Sequence, residues 1–393
     1  MLGLNNIIHP LNIEDFIEDH AGKKAVFIPG DAGKFGELYG WEDVNYVVNS
    51  SRPSFEAVRL VYEKQPLPNQ ELANLGGWLE KGATLVINQT QHIDPVNEQF
   101  AEALANDVNA SVNINCNVSF PTKQGFDCHY DTHDVFVLHT DGVKTRKVYH
   151  PTRKFPLDRD PASDKKLLPL AEDAQPYLEC TMTPGDVLYI PRGHWHYAIA
   201  EEPCIHLTVS HSNRSGIDYM TWLINEMRKN DELLRRDFPL YQVGSLLGDR
   251  PDDELEGHIE KIRLHLIEIL KEDSFLESIL HWVQYDNPLR RKYQLPELAE
   301  IERSPITPET KFYIVPNQKL IPRHDPVSGR IELISRGGQI LFNRVPKAMI
   351  EHILNTNDPF CGKDLQELDP SITWENIYIM LHTFYTSGLT LRA

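Results

Sequence analysis

A series of short strands between about residues 111 and 212 most constrains the fold of this 393-residue chain. Apolar, β-branched runs alternate there with Gly, Pro and Asp, which is typical of an all-β sandwich or barrel. Asp141-Gly142 lies between two of these runs and predicts a hairpin turn. We expect an α+β protein built on a double-stranded β-helix, a jelly-roll barrel. The predicted strands are 112–118, 135–139, 145–149, 187–190 and 205–210.

The residues before the barrel alternate between helix-like and strand-like pieces, and we expect them to belong to the same domain, residues 1–212. Helices are predicted at 11–17 and 96–104, and strands at 25–28 and 83–88. Within the barrel, the stretch 152–174 is rich in Lys, Asp and Pro and predicts a surface insertion.

The predicted secondary structure changes from strands to helices after Ser212. Segments 216–238 and 252–270 carry apolar residues near the 3.6-residue period without a sheet to pack against. We therefore expect residues 213–290 to be a helical dimerisation region. Residues 291–393 predict a winged-helix-like domain, with a hairpin at 330–335 and 339–342 and helices at 346–354, 363–368 and 374–387.

Composition and charge exclude several function classes. The formal net charge of −18 opposes nucleic-acid binding, because the phosphate backbone would be repelled. The chain has no long apolar run that would span a membrane, and its N-terminus lacks a basic segment followed by an apolar one. The five cysteines are scattered and form no CxxC pair, which favours a reducing, cytoplasmic location.

His129, Asp131 and His196 predict a metal site. Two imidazoles and one carboxylate are the facial triad of non-haem iron oxygenases, which leaves coordination positions open. On a strand, residues two apart point to the same face, so His129 and Asp131 can reach one ion together. A third ligand from a distant strand would complete the site.

The residues before His196 strengthen this prediction. Pro184-Gly185-Asp186 begins a short apolar strand, and Pro191-Arg192-Gly193 then bends the chain before the histidine. This spacing of Gly, Pro, Gly and His is the second half-motif of the cupin barrel. His194 also lies close by, but the Pro-x-Gly-x-x-His spacing selects His196 as the ligand.

Several segments together resemble the JmjC-type ribosomal oxygenases, which are Fe(II)/2-oxoglutarate-dependent protein hydroxylases with a cupin-like barrel. The similarity covers nearly the whole chain, because that family also combines its barrel with a helical dimerisation region and a C-terminal winged helix. Its motifs are specific in the barrel and loose elsewhere. The matching segments are 125–131, 134–138, 142–144, 184–196 and 206–210.

The resemblance implies roles for individual residues. His129, Asp131 and His196 would bind Fe(II), and Lys144 would pair with the C5 carboxylate of 2-oxoglutarate. A buried dianion needs a cation at its far end, which agrees with Lys144 in that role. Polar positions of the same cosubstrate pocket correspond to Asn115 and Ser210.

Other polar residues near the motifs depart from the family pattern. His133 and His194 are candidates for substrate contact, and His139 adds a further imidazole. Arg146 would share the face of Lys144 if the strand is regular. Any of these histidines could contact substrate or offer a competing metal ligand, but such residues are more often hydrogen-bonded structural groups.

The resemblance implies an oxygenase that uses Fe(II), 2-oxoglutarate and O₂ to hydroxylate a side chain of a protein or peptide. A basic ribosomal protein is a candidate substrate, and a homodimer is expected. Two alternatives stay open. One keeps the cofactors but changes the reaction to N-methyl lysine demethylation, or the substrate to a small molecule or natural-product peptide. The other is a metal-binding cupin scaffold without turnover.

Overall fold

The fold is described from a computed structural model of the chain. It divides into two compact units, residues 1–213 and 214–393. The predicted boundary after residue 290 falls inside the second unit, so the three-part division stays a prediction. The structure describes all residues except 1, 51–56, 64, 122–125, 159, 161–168, 213, 239–252, 272–273, 286–289, 300, 317–319, 321, 325–328, 336–337, 344 and 357.

Two antiparallel sheets form the barrel of the first unit. The strands are β1 Val26–Ile28, β2 Val58–Tyr62, β3 Gln65–Pro66, β4 Thr84–Ile87, β5 Val112–Ser119, β6 Asp134–Asp141, β7 Lys144–Tyr149, β8 Leu178–Met182, β9 Val187–Ile190, β10 Trp195–Ala200 and β11 Cys204–His211. The larger sheet has eight strands in the order β1-β9-β6-β11-β5-β4-β2-β3, and the smaller has three in the order β10-β7-β8. All the strands predicted from the sequence are present, within a few residues of their predicted bounds.

The helices of this unit lie on one face of the larger sheet. Apolar residues of β5 such as Ile114 and Cys116 are buried in one core cluster with Phe100 and Leu104. Because side chains alternate along a strand, the residues between them point to the opposite face, which lines a cavity. The helices are α1 Leu4–Ile8, α2 Ile13–Asp15, α3 Trp41–Asn49, α4 Leu75–Glu80 and α5 Pro95–Val108.

The helix predicted at 11–17 is only partly α-helical. Asn12 accepts a hydrogen bond from the backbone N–H of Asp15 at 2.8 Å and so begins the helix as expected. The chain then changes to a π-helical turn over Phe16–His20. In the predicted insertion 152–174, the described residues contain no helix or strand, and the remainder lies outside the described residues.

The hairpin predicted at Asp141-Gly142 is wrong. β6 pairs with β9 and β11, whereas β7 pairs with β8 and β10, so the turn joins two different sheets. Gly142 has a φ of +76°. A Cβ atom there would lie 2.2 Å from the carbonyl oxygen of Pro203. The turn signal is real, but the close approach of another segment determines its shape.

The second unit contains a helical segment and a smaller α+β segment. The helix predicted at 216–238 ends at Asn230, and the described residues after it form turns. The helices are α6 Gly216–Asn230, α7 Asp253–Lys271, α8 Ser274–Tyr285, α9 Lys347–Asn355, α10 Gly362–Leu368 and α11 Trp374–Thr386. The strands are β12 Phe312–Ile314, β13 Arg323–His324, β14 Ile331–Ser335, β15 Gly338–Phe342 and β16 Thr390–Arg392.

The α+β segment has its own core, in which Phe342 and Phe384 stack with ring centroids 4.9 Å apart. β14 and β15 pair as an antiparallel hairpin, as predicted, although its turn lies outside the described residues. The helices of the preceding helical segment expose apolar side chains, including Ile217 of α6 and Leu276 of α8. Among the helices that the structure describes, none combines the length and apolarity needed to cross a bilayer.

Candidate metal centre and cosubstrate cavity

The three predicted metal ligands lie together. One ligand atom from each of His129, Asp131 and His196 can be chosen so that all three lie within 4.8 Å of one another. Nε2 of His196 lies 3.6 Å from a carboxylate oxygen of Asp131. No other such cluster of three His, Cys, Asp or Glu side chains occurs among the described residues.

The backbone presents both imidazoles for coordination. Nδ1 of His129 lies 2.7 Å from the carbonyl oxygen of Asp127, and Nδ1 of His196 lies 3.0 Å from that of His194. A ring that donates from Nδ1 to a carbonyl keeps the lone pair on Nε2, the tautomer that a metal requires. Burial, followed by the neighbouring His129, lowers the pKa of His196 to about 4, so this ring is neutral at physiological pH. The donor set fits a divalent ion such as Fe(II).

The first two ligands do not lie on a regular strand as predicted. His129 forms only an isolated antiparallel bridge with His196, and β6 begins at Asp134, after the second ligand. Besides this bridge, the short segment is held by the N–H of Gly193, which donates to the carbonyl oxygen of Asp131 at 2.9 Å. The bend that the Pro-x-Gly motif introduces therefore positions a carboxylate ligand as well as His196.

Asp134 stabilises the start of the same bend. One of its oxygens accepts from the N–H of Arg192 at 2.9 Å, and the other accepts from the hydroxyl of Tyr189 at 2.6 Å. Asp134 is buried, so these bonds replace the water that its carboxylate loses. Asp134 lies in one of the segments that resemble the family, but the sequence did not indicate that it would support the bend.

The triad lies at a cavity of about 300 Å³ that both sheets of the barrel line. Inward-facing residues of β5 and β11 form one wall, and β7 and β10 form the other. The described lining contains a single carboxylate, that of Asp131. The lining includes Arg59, Asn115, Asn117, Ser119, His133, Lys144, Arg146, Ala198, His206 and Thr208.

Lys144 lies inside the cavity, as predicted. Its ammonium group donates to the hydroxyl of Ser119 at 2.7 Å. The residue as a whole is only 7% exposed. Burial, and then the nearby guanidinium of Arg146, lower the pKa of Lys144 to about 7. An anion bound in the cavity would raise that pKa again, because opposite charge stabilises the ammonium form.

Asn115 also lines the cavity, and its side-chain oxygen accepts from the N–H of Gln89 at 2.9 Å. Ser210 does not line it. Its hydroxyl donates to the carbonyl oxygen of Asn113 at 3.4 Å. Thr208, one inward position earlier on β11, is in the cavity and accepts from Asn117 at 3.0 Å. Sequence reasoning missed this pair, although the two-residue period of the strand could have identified Thr208.

The additional histidines are separated by the fold. His133 lines the cavity, whereas the buried ring of His194 lies elsewhere, with Nδ1 2.7 Å from the hydroxyl of Tyr177. His139 is also buried, and its Nε2 lies 2.9 Å from the carbonyl oxygen of Gly142. Burial is the main cause that lowers the pKa values of His139 and His194 to about 4. Of these three residues, only His133 lines the cavity.

Comparison with known proteins agrees with this geometry. A model of the JmjC domain matches residues 86–219. Ribosomal oxygenase 1 of Homo sapiens is 31% identical over 180 residues, 42% of this chain and 27% of that protein. Its counterpart in Gallus gallus is 26% identical and covers 67% of this chain and 47% of that protein. The chain spans less than half the length of these relatives.

A second kind of relative carries two activities in its name. The bifunctional lysine-specific demethylase and histidyl-hydroxylase NO66 of Drosophila persimilis is 26% identical, over 67% of this chain and 40% of that protein.

Solved structures show the same fold over nearly the whole chain. The ribosomal oxygenase YcfD of Escherichia coli has a TM-score of 0.61 at 16% identity, covering 98% of both chains. A structure of YcfD in complex with cobalt and 2-oxoglutarate has a TM-score of 0.58 at the same identity and coverage. Residues 86–219 therefore match the JmjC domain, and the chain is similar to the ribosomal oxygenases in sequence and to YcfD in fold.

Proposed function

We propose that this chain is an Fe(II)- and 2-oxoglutarate-dependent oxygenase that hydroxylates a side chain of a protein or peptide. The observation that carries the proposal is the opening of the His129, Asp131 and His196 triad into a cavity with a buried cation, Lys144. Three protein ligands on one side of a metal leave positions for a cosubstrate and O₂. The relatives named for hydroxylation, and the YcfD structure with cobalt and 2-oxoglutarate, support it.

The chain's own residues have defined tasks in this proposal. His129 and His196 would each bind the metal through Nε2, and Asp131 would bind it through a carboxylate oxygen. Lys144 binds the far carboxylate of 2-oxoglutarate, and Asn115 and Thr208 add polar contacts along the cavity wall. Iron held there would supply the oxidising chemistry with 2-oxoglutarate and O₂: one oxygen atom of O₂ would enter the target C–H bond and the other would enter succinate, with release of CO₂. The protein orients the target C–H bond and excludes water.

The substrate we propose is a ribosomal protein. The support is the name of the relatives, together with a net charge of −18 that would attract a basic polypeptide. Purified protein with Fe(II), ascorbate and 2-oxoglutarate should convert a ribosomal protein to a product heavier by one oxygen atom, with release of succinate. If cell extract and ribosomal proteins both yield neither succinate nor such a product, the proposal fails.

Matched variants and a second product test the alternatives. His129→Ala should abolish 2-oxoglutarate consumption, while the same change at the exposed His92 should leave it unchanged. Equal rates for the wild type and the His129 variant would favour a scaffold without turnover. Lysine demethylation, one activity in the name of NO66, would release formaldehyde, so formaldehyde without a stable hydroxylated product would replace hydroxylation as the reaction.

We also propose that the second unit serves as a helical dimerisation region followed by a winged-helix scaffold. The exposed apolar residues of α6 and α8 support an association of helices, since such side chains usually pack on a partner. Light scattering should report the mass of two chains. A monomer at micromolar concentration would contradict the dimer.

A further inference from the structure

Arg146 is a second buried cation in the same cavity as Lys144. Both side chains project from β7 into the cavity, because residues two apart share a face of a strand. Arg146 pairs across the ladder with Ala198, one inward position away from the pair of Val148 and His196. The small side chain of Ala198 leaves room beside the guanidinium. Arg146 therefore lies between Lys144 and the metal centre along this strand.

The guanidinium of Arg146 has unmet hydrogen-bonding capacity. The residue is 6% exposed, and neither Nε nor Nη2 has a partner in the structure. Burial lowers the pKa of Arg146 to about 10, so the group is still cationic at neutral pH. A buried, charged donor without an acceptor is costly and rare in proteins, which indicates that an anion occupies the cavity when the protein works.

Nothing in the described cavity wall supplies that anion. Its one carboxylate, Asp131, belongs to the metal triad. Arg59 also lines the cavity, but it supplies no anion, and this residue is exposed to solvent. His206 is buried and uncharged, because burial and then Arg146 lower its pKa well below the usual value. The two buried cations thus face the cavity without a protein counter-charge.

We propose that Arg146 is a second binding residue for the dicarboxylate cosubstrate, acting with Lys144 and setting the preference for a doubly charged 2-oxo acid. This inference rests on the proposed function. A divalent ion and the carboxylate of Asp131 together carry one positive charge, so one negative charge of a bound dianion is left unbalanced. The guanidinium of Arg146 supplies the balancing positive charge at every pH at which the protein is folded. Lys144 shares this role only while its amine is protonated. The planar guanidinium also presents two donors to a carboxylate in a fixed geometry.

Binding measurements on three proteins test the assignment. Wild type, R146M and K147M are loaded with Mn(II) in place of iron and titrated anaerobically with 2-oxoglutarate by calorimetry. K147M is the matched control: it makes the same kind of change on the next residue, whose side chain pairs with Glu179 on the other face of the strand at 3.2 Å. R146M should weaken binding about 10- to 100-fold, and K147M less than about threefold.

A second ligand separates charge recognition from general damage. 2-Oxobutyrate has the same chelating end but no second carboxylate. The affinity for 2-oxobutyrate should be similar in wild type and R146M. The ratio of the affinity for 2-oxoglutarate to that for 2-oxobutyrate should therefore be smaller in the variant. Equal 2-oxoglutarate affinity in wild type and R146M, or an equal loss for both ligands, would overturn the proposal.

Thermal unfolding of the metal-free proteins gives a readout independent of turnover. R146M should melt at the same temperature as wild type or higher, since it removes an unpaired buried charge. Lower stability with unchanged affinity would instead mean a structural role and overturn the proposal. If R146M does not fold, R146K must retain more affinity than R146Q. A wild type that binds no 2-oxoglutarate would refute the proposed function itself, a result distinct from all of these.

Discussion

His129 and His196 are joined by a closed pair of backbone hydrogen bonds. The N–H of His129 donates to the carbonyl oxygen of His196 at 3.1 Å, and the N–H of His196 donates back to that of His129 at 2.7 Å. The two rings lie with centroids 4.5 Å apart. This bridge holds two distant segments in register, so the spacing of the imidazoles is determined by the main chain before any metal binds.

Metal binding should therefore stabilise the barrel rather than build it. At a Co(II) or Mn(II) concentration about 100 times the Kd, linkage predicts a gain of about 2.7 kcal/mol in the free energy of unfolding. His196→Ala should lose that gain, whereas His92→Ala on the exposed surface should keep it. Thermal unfolding with and without metal measures both. An equal metal-dependent gain in the His196 variant would show that the ion binds elsewhere.

Replacing the amine of Lys144 should lower the affinity for 2-oxoglutarate without lowering the stability of the fold. Lys144→Met removes a buried charge, so the metal-free variant should be at least as stable as wild type. Its KM for 2-oxoglutarate should rise about 10- to 100-fold, the loss of one charge-assisted hydrogen bond. Steady-state assays at varied 2-oxoglutarate measure this. A lower kcat at unchanged KM would place Lys144 outside the cosubstrate site.

The affinity for 2-oxoglutarate should depend on pH through Lys144. Its pKa is lowered to about 7 in the free protein, so below pH 7 the amine is already charged and binding takes up no proton. Above pH 7 binding must protonate it, and affinity should fall by up to about tenfold per pH unit. It should then level off, because Arg146 keeps its charge. Calorimetry on Mn(II)-loaded protein between pH 6 and 9 measures the profile.

Lys144→Met is the control for this profile and should bind equally at every pH in that range. His196 contributes no slope, since its pKa of about 4 keeps it neutral throughout. A wild-type affinity that stays constant from pH 6 to 9 would contradict the prediction.

Gly142 should be intolerant of a side chain. Gly142→Ala combines a positive φ with a Cβ placed 2.2 Å from the carbonyl oxygen of Pro203. Gly22→Ala is the matched control, with a φ of +67° but no neighbouring atom within 4 Å. The control should lose about 1 kcal/mol of stability from backbone strain alone. Gly142→Ala should lose about 3 kcal/mol or more, because the strand connection must also move.

Denaturant unfolding measures both glycine variants. Equal losses would show that the approach of Pro203 relaxes freely and that only the backbone conformation matters.

The spacing of ligand residues and the alternation along strands carried much of the prediction. His129, Asp131 and His196 were identified because few residue combinations bind a metal, and their order along the chain is visible without coordinates. The inward position of Lys144 and Arg146 follows from a period of two along β7. Residue types, their spacing and the alternation along a strand are properties of the sequence itself, so these features could be predicted from it.

Long-range packing decided the rest. Asp141-Gly142 predicted a turn, but only the tertiary structure shows that the turn connects two sheets. The same packing places Thr208 in the cavity in preference to Ser210, and turns His194 toward Tyr177. It also leaves Nε and Nη2 of Arg146 buried without an acceptor. These features depend on which strands pair and which groups lose water, and such contacts join residues that are far apart in the chain.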